Sequence, residues 1–275
     1  MKKYFNIGHH YDSITEGWRY IFGDNFHFGY FNTPDDNLNT ATNNLIDELM
    51  SLSQLGPETK ILDAGCGIGT PAGYIHSKFG ADITGISVSK KGVDLANIAI
   101  AQSGYTDKVR FMVADMIDTK FPQESFDIIW IMESSHLIKN KKMLFDECYR
   151  LLKPGGHILL SDILASNKFN LLVKIKNFFQ MTSMVLTFGK GKIETSERYA
   201  ALLSHSDFKK ISAINISRQV TPTLKCWSIN LIKNKDNLNK VFGEEKIRRF
   251  KKSIDALQYF FEEDFFCYYL FTAEK

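Results

Sequence analysis

Hydrophobic positions change their spacing several times along this chain of 275 residues. From Tyr11 to Phe22 they recur every three or four residues, which predicts a short amphipathic helix. Gly23 to Asn39 is rich in turn formers and contains H-F-G-Y-F at His27–Phe31. Thr40 to Leu55 returns to helical spacing, and Gly56-Pro57 ends it. Short apolar runs then alternate with helix-periodic stretches. The runs Lys60–Ala64, Asp82–Ile86, Val109–Val113, Phe126–Ile131 and His157–Asp162 read as buried strands. Pro71–Phe79, Lys90–Ser103 and Lys141–Leu152 read as the helices between them, with K-P-G-G at Lys153–Gly156 stopping the last. This alternation predicts an α/β fold, a doubly wound, mostly parallel sheet covered on both faces.

After Ser166 the pattern shifts. Phe169–Leu186 is apolar, aromatic and helical in spacing, and Gly189-Lys190-Gly191 breaks it. Glu194–Ser204 reads as a helix and Phe208–Ile216 as a strand. Leu224–Phe261 is mostly helical, and Phe265–Ala273 is an aromatic strand. With no repeat and no long linker, residues 1–275 read as a single domain with an apolar insertion after the fifth strand.

Composition narrows the partners. Lys plus Arg is 34 and Asp plus Glu 31, a formal charge of +3 that is too weak to argue for nucleic acid. Cys66, Cys148, Cys226 and Cys267 lie far apart, which indicates neither a zinc site nor a disulfide framework. His9 and His10 without further ligands do not make a metal site, so no metal is expected. No apolar run reaches membrane-spanning length, so no membrane insertion is expected. The start of the chain lacks the apolar core of a signal peptide, and a cytoplasmic location is the expectation.

The most informative stretch is I-L-D-A-G-C-G-I-G-T at Ile61–Thr70. A buried strand ends in Asp63, and Gly65, Gly67 and Gly69 make a tight turn before a helix. Such a loop lets a nucleoside-containing cofactor lie against bare backbone at a helix start. A nicotinamide site would want a third glycine at Thr70 and an acidic residue at Ser87. Neither is present. Four further segments come after it in order: G-I-S-V-S at Gly85–Ser89, V-A-D-M at Val113–Met116, F-D-I-I-W at Phe126–Trp130 and L-K-P-G-G-H-I at Leu152–Ile158.

Together these segments, from about Lys60 to Asp162, resemble the class I S-adenosylmethionine-dependent methyltransferases. H-F-G-Y-F, the S-V-S after the second strand and M-E-S-S-H at Met132–His136 resemble its small-molecule subgroup. That subgroup includes natural-product sugar O-methyltransferases, tocopherol methyltransferases and cyclopropane-synthase-like enzymes. Gly92 stands where the subgroup usually has Gln. The resemblance implies a Rossmann-like seven-stranded sheet with the last strand antiparallel. It implies an N-terminal helical lid (1–56), a cofactor-binding core (57–166), a cap with the sixth strand (167–264) and a final strand (265–275). The implied cofactor is S-adenosyl-L-methionine. Its expected contacts are Tyr30, Asp63, Gly65, Cys66, Gly67, Gly69, Ile86, Ser87, Asp115, Met116 and Met132. Asp115 stands where the family places the carboxylate that reads the adenine amino group; a strand-end capping role is the alternative.

Methyl transfer needs alignment, desolvation and, for a hydroxyl acceptor, a base. His136 comes shortly after the fourth strand and has the right intrinsic pKa, so it is either the base or a residue that orients substrate. Asp162 ends the fifth strand; it either pairs with His136, contacts acceptor or caps the next segment. Glu133 either balances the sulfonium charge, binds acceptor or is a surface glutamate. Tyr11 and Tyr30 belong to the segment that would fold over the cofactor. The cap, with Phe178, Phe179, Met181, Met184, Leu186 and Phe188, reads as a pocket for a hydrophobic acceptor, as core, or as a homodimer contact. The expected reaction is O-methylation of a small apolar metabolite of natural-product type. N- or C-methylation, and cyclisation on a methyltransferase fold, stand as alternatives.

Overall fold

The computed structural model describes residues 7–275. Seven strands form one sheet: β1 (Lys60–Ala64), β2 (Asp82–Ser87), β3 (Val109–Val113), β4 (Phe126–Met132), β5 (Leu152–Ala165), β6 (Lys209–Asn215) and β7 (Phe266–Glu274). Their order is β3-β2-β1-β4-β5-β7-β6. The first five run parallel, and β7 lies antiparallel between β5 and β6. The chain winds outward from β1 through β2 to β3, then restarts on the other side at β4. The crevice of a doubly wound sheet opens at such a reversal, beyond the carboxyl ends of the strands. Asp63 is there, in register with Gly85 and Trp130.

Strand periodicity sorts side chains onto two faces. Ile61, Ile128 and Trp130 join the core under helices α1 (Ile7–Phe22), α3 (Thr70–Phe79), α10 (Pro222–Lys233) and α11 (Lys235–Glu262). Leu62, Ile129 and Ile131 join the core under α5 (Lys141–Leu151) and α8 (Ser196–Ser204). Both faces of the central strands are covered, so β1 and β4 are buried almost throughout, whereas the edge strand β6 is mostly exposed. Ser89 caps α4 (Lys90–Ser103) and Asn37 caps α2 (Leu38–Met50), each accepting from a backbone N–H of the first turn.

The differences from the sequence expectation have local causes. The apolar stretch after Ser166 is two helices, α6 (Leu171–Lys176) and α7 (Phe178–Phe188), divided at Asn177. The Asn177 side chain donates to Val173 O at 2.9 Å, competing with the helical bonds there. The long final helical stretch is three pieces: α9 (Ser217–Val220), α10 and α11. Inside α11, Gly243 takes φ 74° and ψ 161° and kinks the axis. β5 begins at Leu152, because K-P-G-G continues into the strand rather than standing before it.

The amino-terminal segment is tied down by several hydrogen bonds. In α1, Asp12 accepts from Ser89 Oγ at 2.6 Å and from Lys91 N at 3.1 Å. The H-F-G-Y-F strap bonds Tyr30 N to Ala41 O, and Gly29 N to Thr223 Oγ1 on α10. Phe31 N donates to Gln219 O. α1 therefore forms a wall over the carboxyl edge of the sheet.

Candidate active site

Two adjoining cavities occupy this edge. The first, about 340 Å³, lies over the glycine loop and reaches Gly65, Gly67, Ser87, Asp115, Met116 and Met132. The loop is held from below by Ile86 O, which accepts from both Gly65 N and Cys66 N. Gly65 has φ +105°, and a Cβ there would stand 2.3 Å from Ser134 Oγ. Gly92 matters in the same way. A Cβ there would lie 2.7 Å from Gly67 O, so glycine lets α4 start directly against the loop. A Gln at that position would push the two apart.

Asp63 is buried behind the loop, and Oδ2 has no hydrogen-bond partner among the described residues. Burial pushes its carboxyl up to about 7. Asp115 is exposed at the cavity rim, with Oδ1 accepting from Ile117 N at 3.1 Å. Cys66 is buried, and burial raises its thiol well above the ordinary range, so it is a packed residue and not a nucleophile. Tyr30 does not reach the cavity. Its side chain packs against the core beside α2 and its carbonyl accepts from Asn44 Nδ2 at 3.1 Å. From the N-terminal segment Tyr11, Thr15, Trp18 and Phe26 line this cavity instead.

The second cavity, about 370 Å³, is apolar. Trp18, Phe28, Met181, Met184, Phe188 and Trp227 form much of its wall. Phe178, Phe179 and Leu186 do not join them; they face outward, at 62, 82 and 49 % exposure. Tyr11, Trp18, Phe26 and Glu133 border both cavities, so these four residues mark where the spaces meet.

His136 lines the apolar cavity from a single 3-10 turn, Ser135–Leu137. Its Nδ1 lies 2.8 Å from Asp162 Oδ1, and its backbone N donates to Asp162 Oδ2 at 2.9 Å. Ser135 Oγ also donates to Asp162 Oδ2 and meets Tyr199 OH at 2.9 Å. Burial would raise the Asp162 carboxyl, but the charge of His136 and these hydrogen bonds outweigh it, so it stands below its ordinary value. Asp162 is thus ionised and acceptor-only, which makes Nδ1 the donor and leaves Nε2 as the basic nitrogen of His136. Burial opposes the imidazolium, but Asp162 and then Glu133 overcome it, and the His136 pKa is raised.

Glu133 takes φ +48°, a left-handed conformation held by its partners. Its Oε1 accepts from Phe28 N at 2.8 Å and from Tyr268 OH at 2.6 Å, and its backbone N donates to Ser161 O. Burial pushes its carboxyl up to about 8, against the lowering effect of those bonds. Of the H-F-G-Y-F motif, the Phe28 amide and ring reach this site and the Tyr30 side chain does not.

The mycolic acid cyclopropane synthetase family matches residues 1–269. The chain belongs to this family. With it the chain belongs to the class I S-adenosylmethionine-dependent methyltransferases, and it is an enzyme. It is 28% identical over 273 residues to the methyltransferase GfsG of Streptomyces halstedii, covering 98% of this chain and 94% of that protein. It is 28% identical over 271 residues to the 27-O-demethylrifamycin SV methyltransferase of Amycolatopsis mediterranei, covering 98% and 96%. The mycolic acid cyclopropane synthase CmaA1, solved with SAH and CTAB, superposes with a TM-score of 0.89 at 21% identity, covering 98% and 97%. That likeness is one of fold.

The structure also brings into view site residues that the sequence did not single out. Tyr268 on β7 and Tyr199 on α8 reach Glu133 and Ser135 from far along the chain. Lys141 is buried, and Nζ donates to Ile138 O and Lys192 O, clamping the His136 turn to the cap loop. Burial lowers its ammonium to about 8. Ser135 sits inside M-E-S-S-H and was adjacent to a signal. The two tyrosines and Lys141 had none, because Glu133, Ser135 and Lys192, which they reach, lie far from them in sequence.

Proposed function

We propose that this enzyme methylates an oxygen of a small apolar acceptor, with His136 as general base. The observation that carries the reading is the His136–Asp162 pair on the wall of an apolar cavity that adjoins the glycine-loop cavity. The glycine-loop residues fit the cofactor: bare backbone at Gly65 and Gly67, Asp115 at the rim, and an unpartnered buried carboxylate oxygen at Asp63 behind the loop. When bound, S-adenosylmethionine supplies an electrophilic methyl on a sulfonium whose leaving group is a neutral thioether.

The chain's own residues do the rest. The aromatic walls exclude water and align the acceptor. Nε2 of His136 takes the acceptor proton as the hydroxyl attacks, and Asp162 holds the resulting imidazolium. Glu133, at the junction, places a carboxyl group between the two spaces. The rifamycin relative, an O-methyltransferase by name, supports oxygen as the target. The test is incubation with methyl-labelled cofactor and apolar phenols or secondary alcohols, followed by mass spectrometry. Label in an ether product is expected. A rearranged product without label would assign the site to cyclisation, and label on carbon or nitrogen would overturn the oxygen assignment.

A further inference from the structure

The cap helices α6 and α7 carry large apolar side chains on their exposed side. On the inner side of α7, Thr187 is 1 % exposed, and its hydroxyl and that of Ser183 each lie 2.9 Å from Ser253 Oγ on α11. On its outer side are Phe178, Phe179 and Leu186. The adjoining helix α6 adds Leu171, Leu172 and Ile175 at 70, 75 and 65 % exposure. Six large apolar side chains exposed on two successive helices mark an interaction site.

Charge identifies its partner. No Asp or Glu occurs from Leu164 to Ile193, whereas Lys168, Lys174, Lys176, Lys190 and Lys192 do. Lys168 pairs with Asp264 and Lys192 with Glu194. Lys174, Lys176 and Lys190 have no carboxylate within 4 Å among the described residues. A two-fold contact between copies would set these lysines against themselves. An anionic lipid surface would receive both the rings and the ammonium groups. The patch is also continuous with the apolar cavity, because Lys174, Met181 and Val185 line that cavity from the same two helices.

We propose that α6 and α7 form a peripheral docking surface for an anionic lipid bilayer, placing the mouth of the apolar cavity at the membrane. The docking stands on the patch itself; the delivery of an apolar acceptor through it rests on the function proposed above. No helix among the described residues is long and apolar enough to cross a membrane, so the contact is with one leaflet.

The test is co-sedimentation of the full chain with vesicles of phosphatidylcholine alone and of equal parts phosphatidylcholine and phosphatidylglycerol. Binding to the anionic vesicles is expected, weakened by added salt, with little binding to the neutral ones. Phe179→Glu and Leu172→Glu are each expected to lower the partition coefficient about tenfold or more. Lys176→Glu is expected to lower it at least about fivefold. Circular dichroism and turnover of a soluble acceptor stay as in wild type. Equal binding to both vesicles, no binding, or full retention by the Phe179→Glu/Leu172→Glu double variant would overturn the proposal. So would a concentration-dependent dimer in gel filtration that Phe179→Glu abolishes, since it would give the face to a second copy. Because sedimentation needs no turnover, a failed methyl-transfer assay leaves this result readable.

Discussion

The two cavities at the head of the sheet are built by different means. The glycine-loop cavity is local: most of its floor and rim is the end of a strand and the turn after it, from β1, β2, β3 and β4. The apolar cavity is assembled from α1, the strap, α7, α10, α11 and β7. One depends on backbone conformation and the other on long-range packing. Substitutions in the first should therefore change cofactor affinity, and in the second acceptor use.

The largest expected effect lies in the loop. Gly65→Ala must adopt φ +105° and drive its Cβ into Ser134. Strain alone costs about 1–3 kcal/mol there, and the overlap adds to it. Calorimetric titration with S-adenosylhomocysteine should show affinity lower by about 100-fold or more, with an accompanying fall in Tm. Near-wild-type affinity would mean that the loop does not hold the cofactor.

A second experiment asks whether the junction senses the cofactor's charge. Folding raises Asp63 to about 7 and Glu133 to about 8, so both gain negative charge as pH rises through that range. Without ligand, the folded protein keeps protons that the unfolded chain has released. Their stabilising effect is complete below about pH 4 and fades as pH rises through 7 to 8. The sulfonium of S-adenosylmethionine is attracted to the ionised forms, whereas S-adenosylhomocysteine lacks that charge. The affinity ratio of the two should rise between pH 6 and 9, by about tenfold for each unit of coupled pKa shift. Glu133→Gln, which still accepts from Phe28 N and Tyr268 OH, should remove the step near 8. A flat ratio in the wild type would place the sulfonium away from both carboxylates.

The smallest effect belongs to the apolar wall. Met184→Ala or Phe188→Ala should raise the acceptor KM about tenfold and leave cofactor affinity unchanged. Equal losses in both would show that the two spaces do not work as separate sites.

The same contrast explains what could be read from the chain. The sheet, its switch point and the glycine loop depend on neighbours in sequence, and the apolar runs with Gly65, Gly67 and Gly69 carried them. The acceptor side did not read as well. Phe178, Phe179 and Met184 look alike in a helical pattern, yet Met184 faces the cavity while both phenylalanines face out. Within α7, Met181, Met184 and Phe188 share one side at i, i+3 and i+7, whereas Phe179 and Leu186 fall on the opposite side, a distinction lost when the stretch is read only as apolar. Tyr30 belongs to a motif that meets the site through the backbone amide of Phe28, which no side-chain pattern shows. Tyr268 was hidden in an aromatic strand where every second residue packs inward.

Base catalysis by His136 is the central chemical claim, and His136→Ala tests it most directly. The measurement is single-turnover methyl transfer to a hydroxyl acceptor across pH, with cofactor affinity measured in parallel. In the wild type the rate should climb with pH through a pKa above that of an ordinary histidine, because Asp162 and Glu133 hold the imidazolium. The variant should bind S-adenosylhomocysteine as before, lose that limb of the profile and run slower by about 10²-fold or more. A rate within about threefold of wild type, with the pH dependence intact, would contradict the assignment and leave His136 as a residue that only orients the acceptor.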